Sequence, residues 1–357
     1  MRSNANATGD DIVLVDMLNL CFRQHFAHQH LSFGDAKTGV QYGVLKTLRD
    51  LRENVSKRIV AVWDHGIPVL GAPKPRNWRD DMMDGYKAAR KPNAAYAEII
   101  PQLVPLHKIL CTLGYSHISV NGLEADDVIG VLARSAWRGS VKLILSTDRD
   151  FYQLLDEAWV HVLVPKKDKG AFKFVFQSDV EREHGIGVDR WAEYLALGGD
   201  KSDSIKPLKG MGPKTAIKLI QSGVNLSQPI SRQSEAFIAK YGNVWHDVQK
   251  CWSAARIPTS WSDPRIKPSL DAAGYTPYTF ASLSPDQQWK DADAKARALR
   301  EFMAFLGDRG MTSLLADAKS FFDTESKPVC QQPAQPTRPK KFVTRESRPT
   351  RPMRRLL

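Results

Sequence analysis

Little in this chain could staple it or anchor it. Its 357 residues hold only four cysteines, Cys21, Cys111, Cys251 and Cys330, far apart and in no CxxC or Cys/His spacing of the kind structural zinc sites use. Disulfide and zinc scaffolds are thereby excluded, and a reducing, cytoplasmic compartment is expected. Long apolar runs are missing too. The stretch Ile12 to Val15, after the polar start MRSNANATGDD, is much too brief for a signal peptide or a membrane span, so no membrane partner is expected. No heptad pattern or internal repeat is present, which leaves a monomer as the default. The nine histidines are scattered and form no Ser/His/Asp or Cys/His arrangement, so a protein nucleophile is not expected.

Charge of one sign is in excess. The net charge of +12 favours a polyanionic partner through phosphate contacts and counterion release. Part of that excess sits in one tail: from Arg338 onward eight Lys/Arg face the single Glu346, which leaves +5 for the rest. The polar, Pro-rich stretch 327–357 cannot bury enough apolar surface to order itself and is expected to be a disordered basic tail.

The length suits one large or two ordinary domains. The first half alternates strand-like and helix-like segments, which argues for a parallel sheet in an α/β domain over 1–176. Apolar runs at Ile12 to Val15, Ile59 to Trp63 and Val141 to Leu145 each end at or just before an acid: Asp16, Asp64 and Asp148. Open α/β sheets bind ligands at the carboxyl ends of their strands, so these side chains should converge on one edge. The alternative is that each Asp merely caps the following helix. A segment of about 68–101, rich in Pro, Arg, Lys and Trp with weak core periodicity, reads as an insertion beside that edge, a lid or substrate-binding element. From 177 to 326 the pattern is helical, as in Val180 to His184 and Arg190 to Leu197.

Further acids recur in short clusters: Glu124, Asp126 and Asp127 in GLEADDVIG, Asp150 with Asp148 in STDRDF, and Asp200 and Asp203 in GGDKSD. Any one of them could simply favour a helix dipole. Nine at one edge would repel each other strongly unless cations neutralised them. Hard oxygen ligands without His or Cys point to Mg²⁺, with Mn²⁺ as a substitute. Two such ions about 3.5–4 Å apart can clamp the attacking and leaving oxygens of a phosphodiester. His65, beside Asp64, reads as structural.

Two further signals concern nucleic acid. GMGPKTA, Gly210 to Ala216, allows a tight turn and close backbone approach before a helix whose N–H groups can hold a phosphate. Its longer form, after an acid-rich loop, resembles a helix-hairpin-helix DNA-backbone binder at about 195–222. In the insertion, Arg76, Arg79, Tyr86, Lys87 and Arg90 accompany Trp78. Arg and Lys can neutralise a phosphate, and Tyr or Trp can stack on an unpaired base. For Arg76 and Arg79 taken singly, a solvated basic face explains them equally well.

Taken in order, LVDMLNLCFR, AVWDHG, YKAAR, GLEADDVIG, STDRDFYQLL, LGGDKSDSI, GMGPKTA and ALREFMAFLGDRGMTSLL resemble the 5′ nuclease or flap endonuclease family. That family includes the 5′-nuclease domain of bacterial DNA polymerase I and stand-alone phage 5′ exonucleases. The resemblance covers about 12–315 and implies a PIN-like parallel-sheet nuclease core with a helical arch insertion and a C-terminal helix-hairpin-helix region. It also implies 5′-3′ exonuclease and flap endonuclease action on DNA with 5′ ends, flaps or nicks. Residue by residue, it implies a first metal site of Asp16, Asp64, Glu124, Asp126 and Asp127, and a second of Asp148, Asp150, Asp200 and Asp203. Lys87 and Arg90 would act with Asp148 and Asp150 in catalysis on the scissile phosphate. Arg23 and Tyr86 would add DNA contacts, and Gly210, Gly212, Lys214 and Thr215 would hold the duplex; Arg76 and Arg79 of the basic cluster and Lys209 beside the glycines are further DNA-binding candidates from their charge. The family also binds a monovalent cation, K⁺, at the hairpin.

The sequence departs from the family where SDNIPGVPGIG becomes SDSIKPLKGMG, with Ser204 for Asn and Pro207 for Gly, so an altered hairpin turn is expected. With no polymerase-like region after it, the chain reads as a stand-alone nuclease, in host cytoplasm if of phage origin. The alternatives are a noncatalytic DNA-binding scaffold of the same fold and an RNase that removes RNA from an RNA–DNA hybrid.

Overall fold

Strands buried on both faces must be apolar at every position, and the central runs of this chain are. In the computed structural model, β1 (Gly9–Asp16) pairs in parallel with β4 (Ser56–Trp63) on one side and β6 (Lys142–Leu145) on the other. The structure describes residues 9–64, 76–83, 85–87, 94–166, 171–206, 208–228, 232–242, 244–281 and 283–323. Much of the insertion, Arg90, His65, Pro207 and the tail from 324 lie outside the described residues.

Between β1 and β4 come α1 (Met17–His28), a small hairpin of β2 (Ser32–Phe33) and β3 (Ala36–Lys37), and α2 (Gly39–Asn54). After β4 follow α3 (Trp78–Met82), α4 (Ala94–Thr112), β5 (Ser116–Ser119) and α5 (Ala125–Ser135). Then β7 (Val160–Pro165) and β8 (Phe172–Val175) complete a six-stranded sheet of order β5-β4-β1-β6-β7-β8, parallel except for β8. The parallel α/β core expected from the sequence is therefore present.

Period-two geometry sends alternate residues of each strand to opposite faces. Ile12, Leu14, Val60, Val62 and Ile144 face one core, together with α5, α6 (Gln177–His184), α7 (Trp191–Gly198), α8 (Pro213–Gln221), α9 (Arg232–Tyr241), α10 (Trp245–Ala255) and α11 (Lys267–Ala272). Val13, Val15, Ile59, Ala61 and Leu143 face the other, which α1, α2 and α4 cover. After the short α12 (Pro277–Ala281), α13 (Ala292–Gly307) and α14 (Thr312–Ala316) return to this second face through Phe302, Leu306 and Leu314. The described residues between 177 and 323 are thus divided between the two faces of the sheet.

One boundary needs correction. The insertion was expected to run to about 101, but α4 begins at Ala94 and carries Pro101 and Pro105 inside it. Each proline removes a helical hydrogen bond. Burial of Ile99, Leu103, Leu106 and Leu110 outweighs that loss. Gln102 adds a polar clamp, since its side-chain oxygen accepts from the Val40 amide at 2.9 Å and its backbone carbonyl accepts from Gln41.

The helical hairpin is also present: α7, a turn closed by reciprocal backbone bonds between Asp200 and Ile205, and α8. Ser204 sits in this turn at φ +62°, a left-handed conformation that Asn tolerates better than Ser. Among the described residues no helix is long and apolar enough to cross a membrane.

Phe302 is fully buried and meets Phe321 edge to face at 4.9 Å. Its replacement by Ala is expected to cost about 3–5 kcal/mol in urea unfolding. A cost typical of a surface site would show that α13 is not part of the core.

Candidate metal and nucleic-acid site

Because β1, β4 and β6 are adjacent and parallel, their carboxyl ends coincide, and the acids that follow them meet. Asp16 ends β1 opposite Val62 of β4 and caps α1 by accepting the Asn19 amide at 3.2 Å. Its other oxygen accepts the Ser146 hydroxyl, one residue past β6, at 3.0 Å. Ser146 Oγ in turn accepts the Asp148 amide at 3.1 Å, and Asp148 caps the 3₁₀ turn Arg149–Leu154 through the Asp150 amide at 2.9 Å. Asp64 accepts the Ala125 amide at 3.3 Å, where α5 begins. Asp16 and Asp148 thus cap the helices that follow their strands, whereas Asp64 holds the first amide of α5, and these bonds aim the three side chains at one place.

A second group forms beside the first. Asp150 from the 3₁₀ turn and Asp200 and Asp203 from the hairpin turn bring carboxylate oxygens within 4.8 Å of one another. Asp200 is oriented by the Ser202 amide at 2.7 Å. Asp148 stands between the groups, raising Asp16 and being raised itself by Asp203 and Asp200.

The electrostatics follow from burial and crowding. Burial, reinforced by Asp64 and Asp148, pushes the Asp16 carboxyl from the ordinary 3.8 up to about 8. Desolvation by the packed surroundings, with the Asp203 and Asp200 charges, raises Asp148 as well, although its side chain reaches the surface, and desolvation with the charges of Asp148, Asp203 and Asp200 raises the half-buried Asp150 far above its usual range. Burial also raises Asp203 against the pull of Lys87, and lifts Asp126 against the pull of Arg79. Glu124 goes the other way: its burial is outweighed by the Lys87 and Arg79 charges, which bring it down to about 2. The donor set is all carboxylate oxygen and carries more negative charge than its surroundings neutralise, which fits hard divalent cations.

The cations of the insertion are placed differently from the sequence expectation. Lys87, at φ +54°, puts its ammonium 2.6 Å from both Glu124 oxygens and 3.8 Å from Asp203. Arg79 is only 1% exposed and pairs with Glu124, Asp126 and Asp127, so it cannot touch DNA in this state. Tyr86 is buried and donates its hydroxyl to Glu124 and Asp203 at 3.0 and 3.3 Å, which leaves no face for base stacking. Asp127, expected as a metal ligand, is fully buried, and its carboxylate pairs with Arg79 and accepts from the Trp78 indole and the Glu124 amide. Arg76 is exposed and paired with Asp81, and Arg23 donates to the Pro165 carbonyl at 2.7 Å. At the hairpin, Lys209, Gly210 and Lys214 are exposed and Gly212 and Thr215 half-buried around the start of α8.

The sequence reading missed Ser146, Asn19 and Gln153. Ser146 and Asn19 orient the acids or the loop after β6, Asn19 by accepting from Thr147, and Gln153 donates to the Asp150 carbonyl at 2.9 Å. Their signal was proximity: each lies within three residues of a candidate acid. Folding also gathers His107, Cys111 and His117 within 4.8 Å. The Trp63 indole N–H occupies His117 Nδ1 at 3.1 Å, so its proton sits on Nε2 and the ring has no lone pair to offer a metal.

A family profile described as "5'-3' exonuclease, N-terminal resolvase-like domain" matches residues 11–185. DNA polymerase I of Deinococcus radiodurans is 37% identical over 215 residues, 59% of this chain and 21% of that protein. The chain thus spans about a fifth of the length of such polymerase relatives. A 5′-3′ exonuclease of Buchnera aphidicola is 32% identical over 221 residues, 60% of this chain and 71% of the relative. Among solved structures, T5 D15 protein co-crystallised with metal ions has a TM-score of 0.51 at 16% identity, covering 88% of this chain and 100% of its own. Flap endonuclease-1 from Methanococcus jannaschii has a TM-score of 0.55 at 14% identity, covering 88% and 92%. Both share the fold.

The raised Asp16 has a consequence for stability. The folded state holds a proton there that the unfolded chain releases near pH 4, so its contribution is fully present below that pH and is lost as pH rises through 8. Asp16→Asn should therefore stabilise the metal-free protein, most above pH 8 and progressively less as pH falls toward 4. Thermal melting in EDTA across that range checks this, and a pH-independent difference would contradict it.

Proposed function

This chain belongs to the 5′-3′ exonuclease family, and on that premise we propose that it hydrolyses DNA phosphodiesters near 5′ ends, flaps and nicks with divalent metal ions. The observation that carries the reading is the meeting of strand-end acids Asp16, Asp64 and Asp148 with the Asp150, Asp200 and Asp203 group at one sheet edge. Asp16, Asp64, Glu124 and Asp126 would hold one ion and Asp150, Asp200 and Asp203 another, with Asp148 serving both. Mg²⁺, or Mn²⁺ in its place, would polarise the phosphodiester and lower the pKa of the attacking water.

The chain's own residues do the rest. Asn19, Ser146 and the α5 amides fix the carboxylates, so little reorganisation is needed when a phosphate arrives. Lys87, already seated between Glu124 and Asp203, supplies a positive charge beside the scissile phosphate, with Arg90 of the same segment as its partner. Lys209, Lys214 and the glycine turn before α8 hold the duplex backbone, with K⁺ as the monovalent ion there. Arg23 and Arg76 add contacts to the strand. The removed strand is DNA, or RNA in a primer hybrid; the protein acts as a monomer in the cytoplasm.

A 5′-labelled flap duplex incubated with Mg²⁺ or with EDTA tests this. Short 5′ fragments should appear only with Mg²⁺; binding without cleavage would favour a scaffold, and cutting confined to an RNA-primed hybrid would favour an RNase. Asp148→Ala or Asp200→Ala should lower turnover by more than about 10²-fold while metal-free DNA affinity stays within a few-fold. Lys214→Ala should weaken binding across sequences and reduce the salt dependence by about one phosphate contact.

A further inference from the structure

A guanidinium buried to 1% exposure requires compensation, because desolvating it is expensive unless each donor is met. Arg79 has that compensation. Its Nη1 donates to Asp127 at 3.0 Å and to Glu124 at 3.4 Å, and its Nη2 to Asp126 at 3.0 Å, with Asp127 Oδ1 2.9 Å away. Its Nε donates to the Ala254 carbonyl, in the last turn of α10, at 3.1 Å. Trp78 covers its face at 4.4 Å, and Arg265 covers Trp78 in turn at 4.8 Å.

The arrangement is graded. Arg79 and Asp127 lie innermost, at 1% and 0% exposure, while the Glu124 and Asp126 side chains lie outward at 12% and 24%. The cation therefore stands behind the two carboxylates that face the site, holding them from the protein side.

The same end of α10 also grips the second acid group. Gln153 donates to the Ala255 carbonyl at 3.1 Å and to the Asp150 carbonyl at 2.9 Å, and accepts from the Ile257 amide at 2.8 Å. Segment 254–257 thus reaches Glu124 and Asp126 through Arg79, and Asp150 through Gln153.

We propose that Arg79 is a positioning residue, which with Gln153 ties the two acid groups to the end of α10 and so sets their relative placement for cation binding. This rests on the metal reading above, though not on cleavage. A lysine cannot replace it, because one ammonium cannot reach the carbonyl and three carboxylates in a fixed plane.

The test uses the full chain with Arg79→Lys, Gln153→Leu and the double variant Arg79→Met with Asp127→Asn, which removes a buried charge of each sign and so guards against misfolding. Free Mn²⁺ is followed by electron paramagnetic resonance, flap-duplex affinity is measured in EDTA, and kcat and KM are measured with Mg²⁺. Each variant that melts cooperatively should bind Mn²⁺ at least about tenfold more weakly. DNA affinity in EDTA should stay within about twofold, and the kinetic loss should fall on kcat rather than KM. Native Mn²⁺ affinity in any folded variant, or lost DNA affinity with Mn²⁺ binding intact, overturns the proposal. Wild type that binds Mn²⁺ without cutting a flap would sink the nuclease reading and leave this one standing; wild type that binds no Mn²⁺ would sink both.

Discussion

Repulsion among crowded carboxylates, two of them buried and most of the others half-buried, is the constraint around which this protein is arranged. Parallel strands deliver Asp16, Asp64 and Asp148 to one edge, and the start of α5, the 3₁₀ turn and the hairpin turn add Glu124 and Asp126, Asp150, and Asp200 and Asp203. At the short separations found here, ionising them all would oppose folding. Two protein cations, Arg79 and Lys87, offset part of that charge on the Glu124 side, and Glu124 is accordingly held low while Asp16, Asp148 and Asp150 are held high. Protonation of these aspartates offsets part of the remainder, and divalent cations would take that role under the function proposed above.

The scaffold has to hold such a group without yielding, and both faces of the sheet contribute. On one face α5, the 3₁₀ turn and the helices from α6 to α11 form a continuous apolar layer, so the Asp150 and Asp200 loops rest on packed side chains. Close approach is essential where α5 meets the segment after α10: a Cβ on Gly130 would lie 2.3 Å from the Pro258 carbonyl oxygen. On the other face α13 and α14 return to seal α1, α2 and α4. The end of α10 is where the helical layer reaches the chemistry, through one arginine and one glutamine.

Much of this was legible in the sequence. Ile12 to Val15, Ile59 to Trp63 and Val141 to Leu145 read as strands because a strand covered on both faces is apolar at every position, and the acids at their ends were informative for the same topological reason. The hairpin was visible in GMGPKTA, and the Ser204 departure fell on a residue at φ +62°. What escaped were long-range pairings. A basic residue looks the same in sequence whether it faces a phosphate or an acid of its own chain, and the carboxylate partners of Arg79 lie 45 to 48 positions away. The pairings of Tyr86 with Glu124 and Asp203, and of Asp127 with Trp78 and Arg79, escaped for the same reason. Pro101 looked like a boundary because local sequence shows the lost hydrogen bond and not the buried stripe that outweighs it.

The claim that this crowded edge is a cation site is tested most directly by calorimetric titration of the metal-free protein with Mn²⁺ at pH 7, in two buffers of different ionisation enthalpy. Saturable binding accompanied by proton release is expected, because the ions must displace protons from carboxyls held above their usual range. Saturable binding with no proton release at pH 7, or no saturable binding at all, would contradict it.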